Sequence, residues 1–265
     1  MGVLNVTPDS FSDGGRFLDF DGALAHARAM LADGADIIDI GGESTRPGAL
    51  PTAEADEIGR VVPITEALAR DGVLVSVDTM KPGVMRAAID AGASMINDVR
   101  ALQAPGAMDV VTKSDVAVCL MHMQGEPPTM QTAPAYRDVV NDVRDFLQAR
   151  AVACMSAGIA GERIIVDPGF GFGKTVAHNL RLIRELESIV SLGFPVAVGA
   201  SRKSSLGKLT GRTADDRLAA SIAASLAAVA HGASIVRVHD VRETVDALNV
   251  WRAIENGEGG GGPIP

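Results

Sequence analysis

The feature that most limits how this chain can fold is a repeated unit in which an alanine-rich helix pattern leads through glycine into a short apolar strand. Clear copies occupy 32–44, 90–99 and 230–240, and looser copies occupy 155–169 and 191–203. A glycine just after a helix supplies a left-handed C-cap. A strand that is apolar on both faces is typical of a parallel sheet covered by helices. The repeat therefore predicts alternating strands and helices around a parallel sheet.

Eight such strands are predicted, and each is followed by a helical pattern. The strands fall at 2–6, 36–40, 73–77, 94–96, 116–120, 163–166, 195–198 and 235–238, and the helices at 21–33, 52–71, 82–92, 105–114, 135–157, 176–192, 213–231 and 241–256. This number and order are typical of a (β/α)₈ TIM barrel. The competing doubly wound sheet is expected to carry a GxGxxG turn after its first strand, and none is present there. We expect one α/β barrel domain over 1–256 and a disordered glycine-rich tail over 257–265.

Composition narrows the class of protein. The 265 residues are 47% hydrophobic and 22% charged, which is ordinary for a globular protein. No apolar run approaches the roughly 20 residues of a membrane span, and the N-terminus lacks a signal-peptide pattern. Cys119 and Cys154 both lie in apolar or helical patterns, which indicates buried thiols in a reducing compartment. The net charge of −9 argues against nucleic acid as a partner. We expect a cytoplasmic protein whose anionic ligands are held by a local group of cations.

A glycine-rich stretch at 165–175 follows the sixth predicted strand. The strand ends in Asp167, and a proline, three alternating glycines, two phenylalanines and Lys174 follow it. The glycines indicate positive φ or a close approach of the backbone to another group. TIM-barrel enzymes place their active sites at the carboxyl ends of the strands. Asp167 is therefore either a site residue or a solvated cap at a strand end.

The other strand ends are polar as well. In chain order the polar or site-facing candidates are Asn5; Glu43, Thr45 and Arg46; Asp78; Asn97 and Asp98; Met121 and His122; Asp167; Ser201, Arg202 and Lys203; and Arg237 and His239. A single strand-end Asp is more often the N-cap of the next helix. Polar residues at all eight ends, gathered in one barrel mouth, are less easily explained by capping.

These candidates divide into two chemical groups. Asp78, Asn97 and Asp167 suit the donor and acceptor edge of a flat nitrogen heterocycle. Arg46, Lys203, Arg237 and His239 supply cations, whose forked or charged donors match phosphate or carboxylate oxygens, and Asn5 and Thr45 add neutral polar groups. Asn5 could also bind Mg²⁺, which prefers few protein ligands together with phosphate oxygens. The residues alone predict a heterocycle carrying a phosphorylated group.

Several strings resemble the bacterial dihydropteroate synthase family. They are NVTPDSFSDGG (5–15), GGESTRPG (41–48), LMHMQGEPPTMQ (120–131), DPGFGFGKT (167–175), SRKS (201–204) and RVHD (237–240), together with the strand ends at Asp78 and Asn97-Asp98. The resemblance runs in order over 2–252. It implies a (β/α)₈ barrel of pterin-binding type. The implied activity joins 6-hydroxymethyl-7,8-dihydropterin pyrophosphate to p-aminobenzoate, giving 7,8-dihydropteroate and pyrophosphate for folate biosynthesis.

The resemblance also implies roles for individual residues. The pterin is expected to bind Asp78, Asn97, Met121, Asp167 and Lys203, and the diphosphate is expected to bind Asn5, Thr45, Arg237 and His239. The residues expected to bind p-aminobenzoate are Phe11, Arg46, Pro47, Phe170, Ser201 and Lys203. Mg²⁺ is expected to bind Asn5. Sulfonamides would compete in the p-aminobenzoate pocket. Family members suggest a homodimer through the later helices.

The implied mechanism is dissociative. The C–O bond breaks before the amine attacks, so the catalytic work is electrostatic stabilisation by Asp78, Asp167, Lys203, Arg237 and His239. The loop 7–16 is expected to act as a lid that excludes water. Lys203→Ala and Arg237→Ala are expected to abolish turnover with the fold retained.

Two alternatives stay open at the level of sequence. One is a pterin-binding module of a methyltetrahydrofolate–corrinoid methyltransferase, and the other is a relative that binds pterin without catalysis. Among the remaining polar residues, His178 is expected to cap a helix or lie at the surface, and Lys174 to be solvated. His122 could either contact ligand or orient its neighbours.

Overall fold

The computed structural model describes residues 1–6, 15–43, 51–126 and 129–257. The predicted lid residues 7–14 and the predicted tail residues 258–265 lie outside this part of the chain. Residues 15 and 16, expected in the lid loop, instead begin the first helix.

In the part of the chain that the structure describes, eight parallel strands form the wall of the barrel. They are β1 (Gly2–Asn5), β2 (Ile37–Gly41), β3 (Leu74–Asp78), β4 (Met95–Asp98), β5 (Ala117–Met121), β6 (Ile164–Asp167), β7 (Ala197–Val198) and β8 (Ile235–Val236). The strands β1 to β6 pair in sequence order, and β7 pairs with β8. Single bridges close the two remaining seams, Val166 with Val196 and Gly2 with Val238. The predicted (β/α)₈ barrel is confirmed.

Ten α-helices cover the barrel in the described residues. They are α1 (Gly15–Ala32), α2 (Glu54–Arg70), α3 (Pro82–Asp90), α4 (Ala107–Thr112), α5 (Val139–Ser156), α6 (Val176–Arg184), α7 (Glu187–Val190), α8 (Ser204–Thr210), α9 (Leu218–Ala230) and α10 (Val241–Asn256). The predicted helix 176–192 is divided into α6 and α7, and α8 follows β7 where no helix was predicted. None of the helices in the described ranges has the length and apolar character needed to cross a lipid bilayer.

The glycine steps between helices and strands behave as the repeat predicts. Gly34, Gly92 and Gly232 follow α1, α3 and α9 with φ of 96°, 95° and 94°, a conformation that glycine adopts without steric cost. Behind these turns, strand side chains such as Ile38 and Leu120 are fully buried in the main core. The glycine steps therefore let each helix reverse directly into a strand whose apolar residues complete the core.

Candidate active site

Strand registry aligns the polar strand ends at one mouth of the barrel. Asp78 pairs with Asn97 across β3 and β4, and Met121 pairs with Asp167 across β5 and β6. Because all strands are parallel, their carboxyl ends face the same opening. The structure thus brings together four of the five side chains predicted to contact the heterocycle.

Arg237 links this opening to a carboxylate deeper in the barrel. Its Nε lies 2.5 Å from Asp39 Oδ2, and its Nη2 lies 3.0 Å from Asp78 Oδ2. The Asn97 amide also donates to Asp39 Oδ2, at 3.2 Å. Asp39 has no solvent exposure, and its Oδ1 has no hydrogen-bond partner among the described residues. A buried carboxylate on which an arginine and an amide converge is part of the site's electrostatics.

Asp39 was missed in the sequence because it lies in the middle of β2 and not at its end. The signal that could have found it is a charged residue inside the otherwise apolar string IIDIG, at 37–41. An unpaired charge in a covered parallel strand is costly. Such a residue therefore indicates a partner inside the barrel, here Arg237.

Asp78 and Asp167, the strand-end carboxyls predicted to contact the heterocycle, have raised pKa values. Burial raises the pKa of Asp78 to about 7, although the Arg237 guanidinium opposes the shift. Burial raises the pKa of Asp167 to about 6 against the opposing hydrogen bond from the Gly169 N–H, which is 2.6 Å long. Perturbed carboxyls in one pocket are a mark of functional sites. Both groups would be stabilised as carboxylates by a ligand that brings N–H donors or positive charge.

Lys203 lies over an aromatic ring of the glycine-rich segment. Its Nζ is 4.0 Å from the centroid of the Phe172 ring, a distance suited to a cation–π contact. A Cβ on Gly171 would come within 3.2 Å of Lys203 Cδ, so the glycine allows this close approach. Phe170, predicted for the p-aminobenzoate pocket, is 2% exposed in the main core, whereas Phe172 is 8% exposed beside Met121. The Phe172 ring is therefore in contact with a candidate site lysine.

Ser201 and His239 form a pair across the ends of β7 and β8. Ser201 Oγ lies 3.0 Å from His239 Nδ1 and accepts the His239 backbone N–H at 3.2 Å. Burial lowers the pKa of His239 to about 4, with further lowering by Arg237 and Arg202. The grouping of His239 with the cations was therefore wrong for the unliganded protein, because the imidazole is neutral near pH 7. A neutral imidazole with Nδ1 on a hydroxyl can present an Nε2–H donor.

Lys174 is buried, and the prediction that it is solvated was wrong. It is 2% exposed, and its Nζ donates to the Phe172 carbonyl at 2.9 Å and lies 3.0 Å from His122 Nδ1. Burial lowers the pKa of Lys174 to about 7 and that of His122 to about 3. The His122 ring also packs edge-on against Phe146, with centroids 4.9 Å apart. These contacts support the orienting role for His122.

Two other strand-end acids are engaged in loop structure. Glu43 accepts from Lys81 Nζ at 3.0 Å and from the Thr52 N–H at 2.7 Å. Asp98 accepts the backbone N–H groups of Arg100 and Leu102, each at 2.8 Å. These contacts explain both acids by local structure. The same holds for His178, which completes a capping box with Thr175 at the start of α6, as predicted.

Of the remaining predicted site residues, one lies at the end of β1, and the others lie outside the residues that the structure describes. Asn5 ends β1 and pairs with Gly41 of β2. A Cβ added to Gly41 would lie 3.5 Å from Asn5 Oδ1. Within the described residues no group of three or more His, Cys, Asp or Glu side chains is placed to hold a metal ion. A single amide oxygen at the mouth fits Mg²⁺ that is bound mainly by phosphate and water. Phe11, Thr45, Arg46 and Pro47 lie outside the described residues.

Comparison with known proteins defines the class of this barrel. The profile of the pterin binding enzymes matches residues 1–239, so the chain belongs to the pterin binding enzyme family. Its relatives include the dihydropteroate synthase of Haemophilus influenzae, 51% identical over 257 residues that cover 97% of this chain and 94% of that protein. The dihydropteroate synthase of Escherichia coli K12 is 48% identical over 254 residues, covering 96% and 90%. The resemblance to bacterial dihydropteroate synthases is confirmed.

Solved structures agree with this result. A Yersinia pestis dihydropteroate synthase with a sulfonamide drug complex matches with a TM-score of 0.92 at 49% identity, covering 97% of this chain and 94% of that chain. A Xanthomonas albilineans dihydropteroate synthase in complex with 7,8-dihydropteroate matches with a TM-score of 0.88 at 49% identity, covering 96% and 92%. The barrel is therefore of the pterin-binding type.

Proposed function

We propose that this chain catalyses the dihydropteroate synthase reaction. It condenses 6-hydroxymethyl-7,8-dihydropterin pyrophosphate with p-aminobenzoate to give 7,8-dihydropteroate and pyrophosphate. The observation that carries the proposal is the arrangement of Asp78, Asn97 and Asp167 on adjacent or nearby strands, with Arg237 bound to Asp78 at the same mouth. The names of the relatives agree with it.

The pterin binds the polar floor of the mouth. Asp78, Asn97 and Asp167 offer two carboxyls and an amide to its ring nitrogens and exocyclic groups, and Met121 supplies an apolar contact. Lys203 lies at the side of the pocket, over Phe172. The raised pKa values of Asp78 and Asp167 support this role, because a ligand with N–H donors stabilises the carboxylate form.

The reaction proceeds by charge separation. The bond between the pterin methylene and the bridging oxygen breaks, and its electron pair leaves with pyrophosphate. Asp78 and Asp167 stabilise the positive charge delocalised over the pterin, while Arg237 and the Nε2–H of neutral His239 stabilise the leaving oxygens. The amine nitrogen of p-aminobenzoate then attacks the methylene carbon and loses its proton to released pyrophosphate or solvent. No side chain has to act as a nucleophile.

Magnesium belongs to the diphosphate side of this proposal. Asn5 would bind Mg²⁺ through its side-chain oxygen, and Thr45 would contact the same diphosphate. The ion supplies neutralising charge to the leaving group when bound. The position of Asn5 at the end of β1 supports this assignment.

The p-aminobenzoate pocket is proposed at the side of Lys203. Ser201, Lys203 and Phe172 form its described part, and Phe11, Arg46 and Pro47 are proposed to complete it. Phe170 stays in this proposal, and Phe172 joins it because its ring lies under Lys203 Nζ. Sulfonamides would compete for the same pocket, a proposal supported by the sulfonamide complex of the Yersinia pestis relative.

Two broader proposals accompany the activity. We place the enzyme in the cytoplasm, which is supported by the free, buried thiols of Cys119 and Cys154.

We also propose a homodimer through the later helices. Exposed apolar side chains at Leu209, Val250 and Ile254 support this assembly, and analytical ultracentrifugation tests it.

The decisive experiment measures pyrophosphate release from dihydropterin pyrophosphate with Mg²⁺, with and without p-aminobenzoate. We expect release that depends on p-aminobenzoate, yields dihydropteroate and is inhibited by a sulfonamide. Lys203→Ala should abolish turnover while the circular dichroism spectrum is retained. Tight binding of the pterin substrate with no release would contradict the proposal and favour the corrinoid-type binding module.

A further inference from the structure

The pairing between β7 and β8 ends before the site residues that follow these strands. Its last ladder pair joins Val198 to Val236. The β3–β4 and β5–β6 ladders, by contrast, run up to the site residues themselves. Lys203 and His239 therefore lie beyond the regular ladder of the barrel wall. Contacts other than strand pairing have to fix the distance between them.

An ion pair spans this gap. Arg202 Nε donates to Asp240 Oδ2 at 3.1 Å, and its Nη2 donates to Asp240 Oδ1, so both carboxylate oxygens are bound. The side chains are 38% and 17% exposed. A bidentate arginine–carboxylate pair fixes orientation as well as distance, and partial burial reduces the screening that weakens surface pairs. Arg202 directly precedes Lys203, and Asp240 directly follows His239.

The backbone at Arg202 is held in an unusual conformation. Its φ is 58°, in the left-handed region that residues other than glycine seldom adopt. Its N–H donates to Ser221 Oγ at 2.9 Å, and its carbonyl accepts from Arg217 Nη1 at 2.9 Å. Backbone in this region persists where the surroundings hold it, often at functional sites. The turn at Arg202 separates the side chain of Ser201, which meets His239, from that of Lys203, which lies over Phe172.

We propose that Arg202 and Asp240 are positioning residues: their forked ion pair continues the β7–β8 connection beyond the strand ladder and fixes Lys203 relative to His239. This inference rests on the proposed function, in which Lys203 binds the pterin and His239 the diphosphate. The proposed function assigns no substrate contact to either residue of the pair. Its effect is to keep the two ends of one substrate matched to groups on two different strands.

The test compares Arg202→Gly, Asp240→Asn and the double variant with the wild type. Glycine accepts a positive φ, so Arg202→Gly removes the guanidinium without straining the backbone, and Asp240→Asn leaves residue 202 untouched. Each single variant should lower kcat/KM for dihydropterin pyrophosphate by about 10- to 100-fold, mostly through a higher KM. The double variant should be no worse than the poorer single variant, because both changes break the same link. Melting temperatures should change far less than the kinetics.

Arg212→Gln is the matched control, because it breaks an exposed arginine–aspartate pair, Arg212 with Asp216, in the segment between α8 and α9. It should stay within about twofold of wild type in kcat/KM. Wild-type turnover is measured first, and its absence would refute the proposed function itself. With an active wild type, near-normal kinetics of Asp240→Asn, or losses that multiply in the double variant, would refute the positioning role.

Discussion

Gly169 lies directly against the backbone carbonyl of His122: a Cβ on Gly169 would stand 1.9 Å from that oxygen. The φ of Gly169 is 69°, so a side chain there is opposed by conformation as well as by space. This contact joins the segment after β6 to the segment after β5. The carboxyl of Asp167, two residues earlier, accepts the N–H of the same glycine. The position of a site carboxylate is thus tied to a glycine that has no room for a side chain.

Gly169→Ala should therefore be strongly destabilising. We expect a loss of roughly 3 kcal/mol or more in the free energy of unfolding, from the steric clash and the left-handed backbone together. The matched control is Gly72→Ala, because Gly72 also has a positive φ of 79° but no atom within 4 Å of a built Cβ. It should lose only roughly 1–2 kcal/mol. Urea denaturation measures the free energy of unfolding of both variants. Equal losses would mean that the His122 carbonyl moves away from the new methyl group at little cost, and would contradict this prediction.

Lys174→Met tests the buried lysine that joins the same two segments. The change removes the donor to the Phe172 carbonyl and the neighbour of His122 Nδ1. Leaving these buried acceptors without a donor should cost about 1–3 kcal/mol. Thermal unfolding followed by circular dichroism provides the measurement. Lys208→Met, at an exposed position of α8, is the control. Equal melting temperatures for the two variants would contradict the structural role of Lys174.

Arg237→Ala should destabilise the fold as well as abolish turnover. The sequence alone suggested that the fold would be retained, but the structure shows that Arg237 is bound to the fully buried Asp39. Removing one member of a buried ion pair leaves an uncompensated charge and costs roughly 3–5 kcal/mol. Adding Asp39→Asn should restore most of the stability and none of the turnover. Urea denaturation of the three variants, including Asp39→Asn alone, decides the matter. A single Arg237→Ala variant as stable as wild type would refute this reasoning.

Asp78→Asn should change how stability depends on pH. The pKa of Asp78 is about 7 in the folded chain, against an ordinary value of 3.8. Between these values the folded state keeps a proton that the unfolded state has lost, so this group lowers the free energy of unfolding as pH rises. The effect is up to about 1.4 kcal/mol per pH unit. Asparagine does not titrate, so the advantage of Asp78→Asn should grow from pH 4 to pH 7. A constant difference in unfolding free energy across this range would contradict the raised pKa.

The regular part of the fold was open to prediction because each repeat carries its own signals. The predicted strand 36–40 is β2 displaced by one residue, and the glycine steps at Gly34 and Gly92 have the left-handed backbone that their places indicate. The short helix α8 escaped prediction because its sequence, SSLGKLT, is only seven residues long and contains a glycine and two serines. Its N-cap is Lys203, so this helix matters to the site despite its weak local signal.

Long-range contacts limited the prediction of the site. Asp78, Asn97 and Asp167 were identified because strand ends in a barrel share one mouth. The burial of Lys174 depends on His122, 52 residues away, and the pairing of Asp39 depends on Arg237, 198 residues away. No local pattern encodes either contact. The neutral state of His239 likewise follows from burial and from the neighbouring Arg237, which the sequence does not reveal.

The two-residue ladder between β7 and β8 has a consequence for amide hydrogen exchange. Single bridges join this pair of strands to β6 and β1, whereas the other neighbouring strands share longer ladders. Local opening without global unfolding is easiest where few backbone hydrogen bonds must break together. Amides at 195–198 and 235–238 should thus exchange sooner than those at the centre of β2 to β5. Since the segments after these strands bear Lys203 and His239, a bound substrate would protect this side of the barrel most.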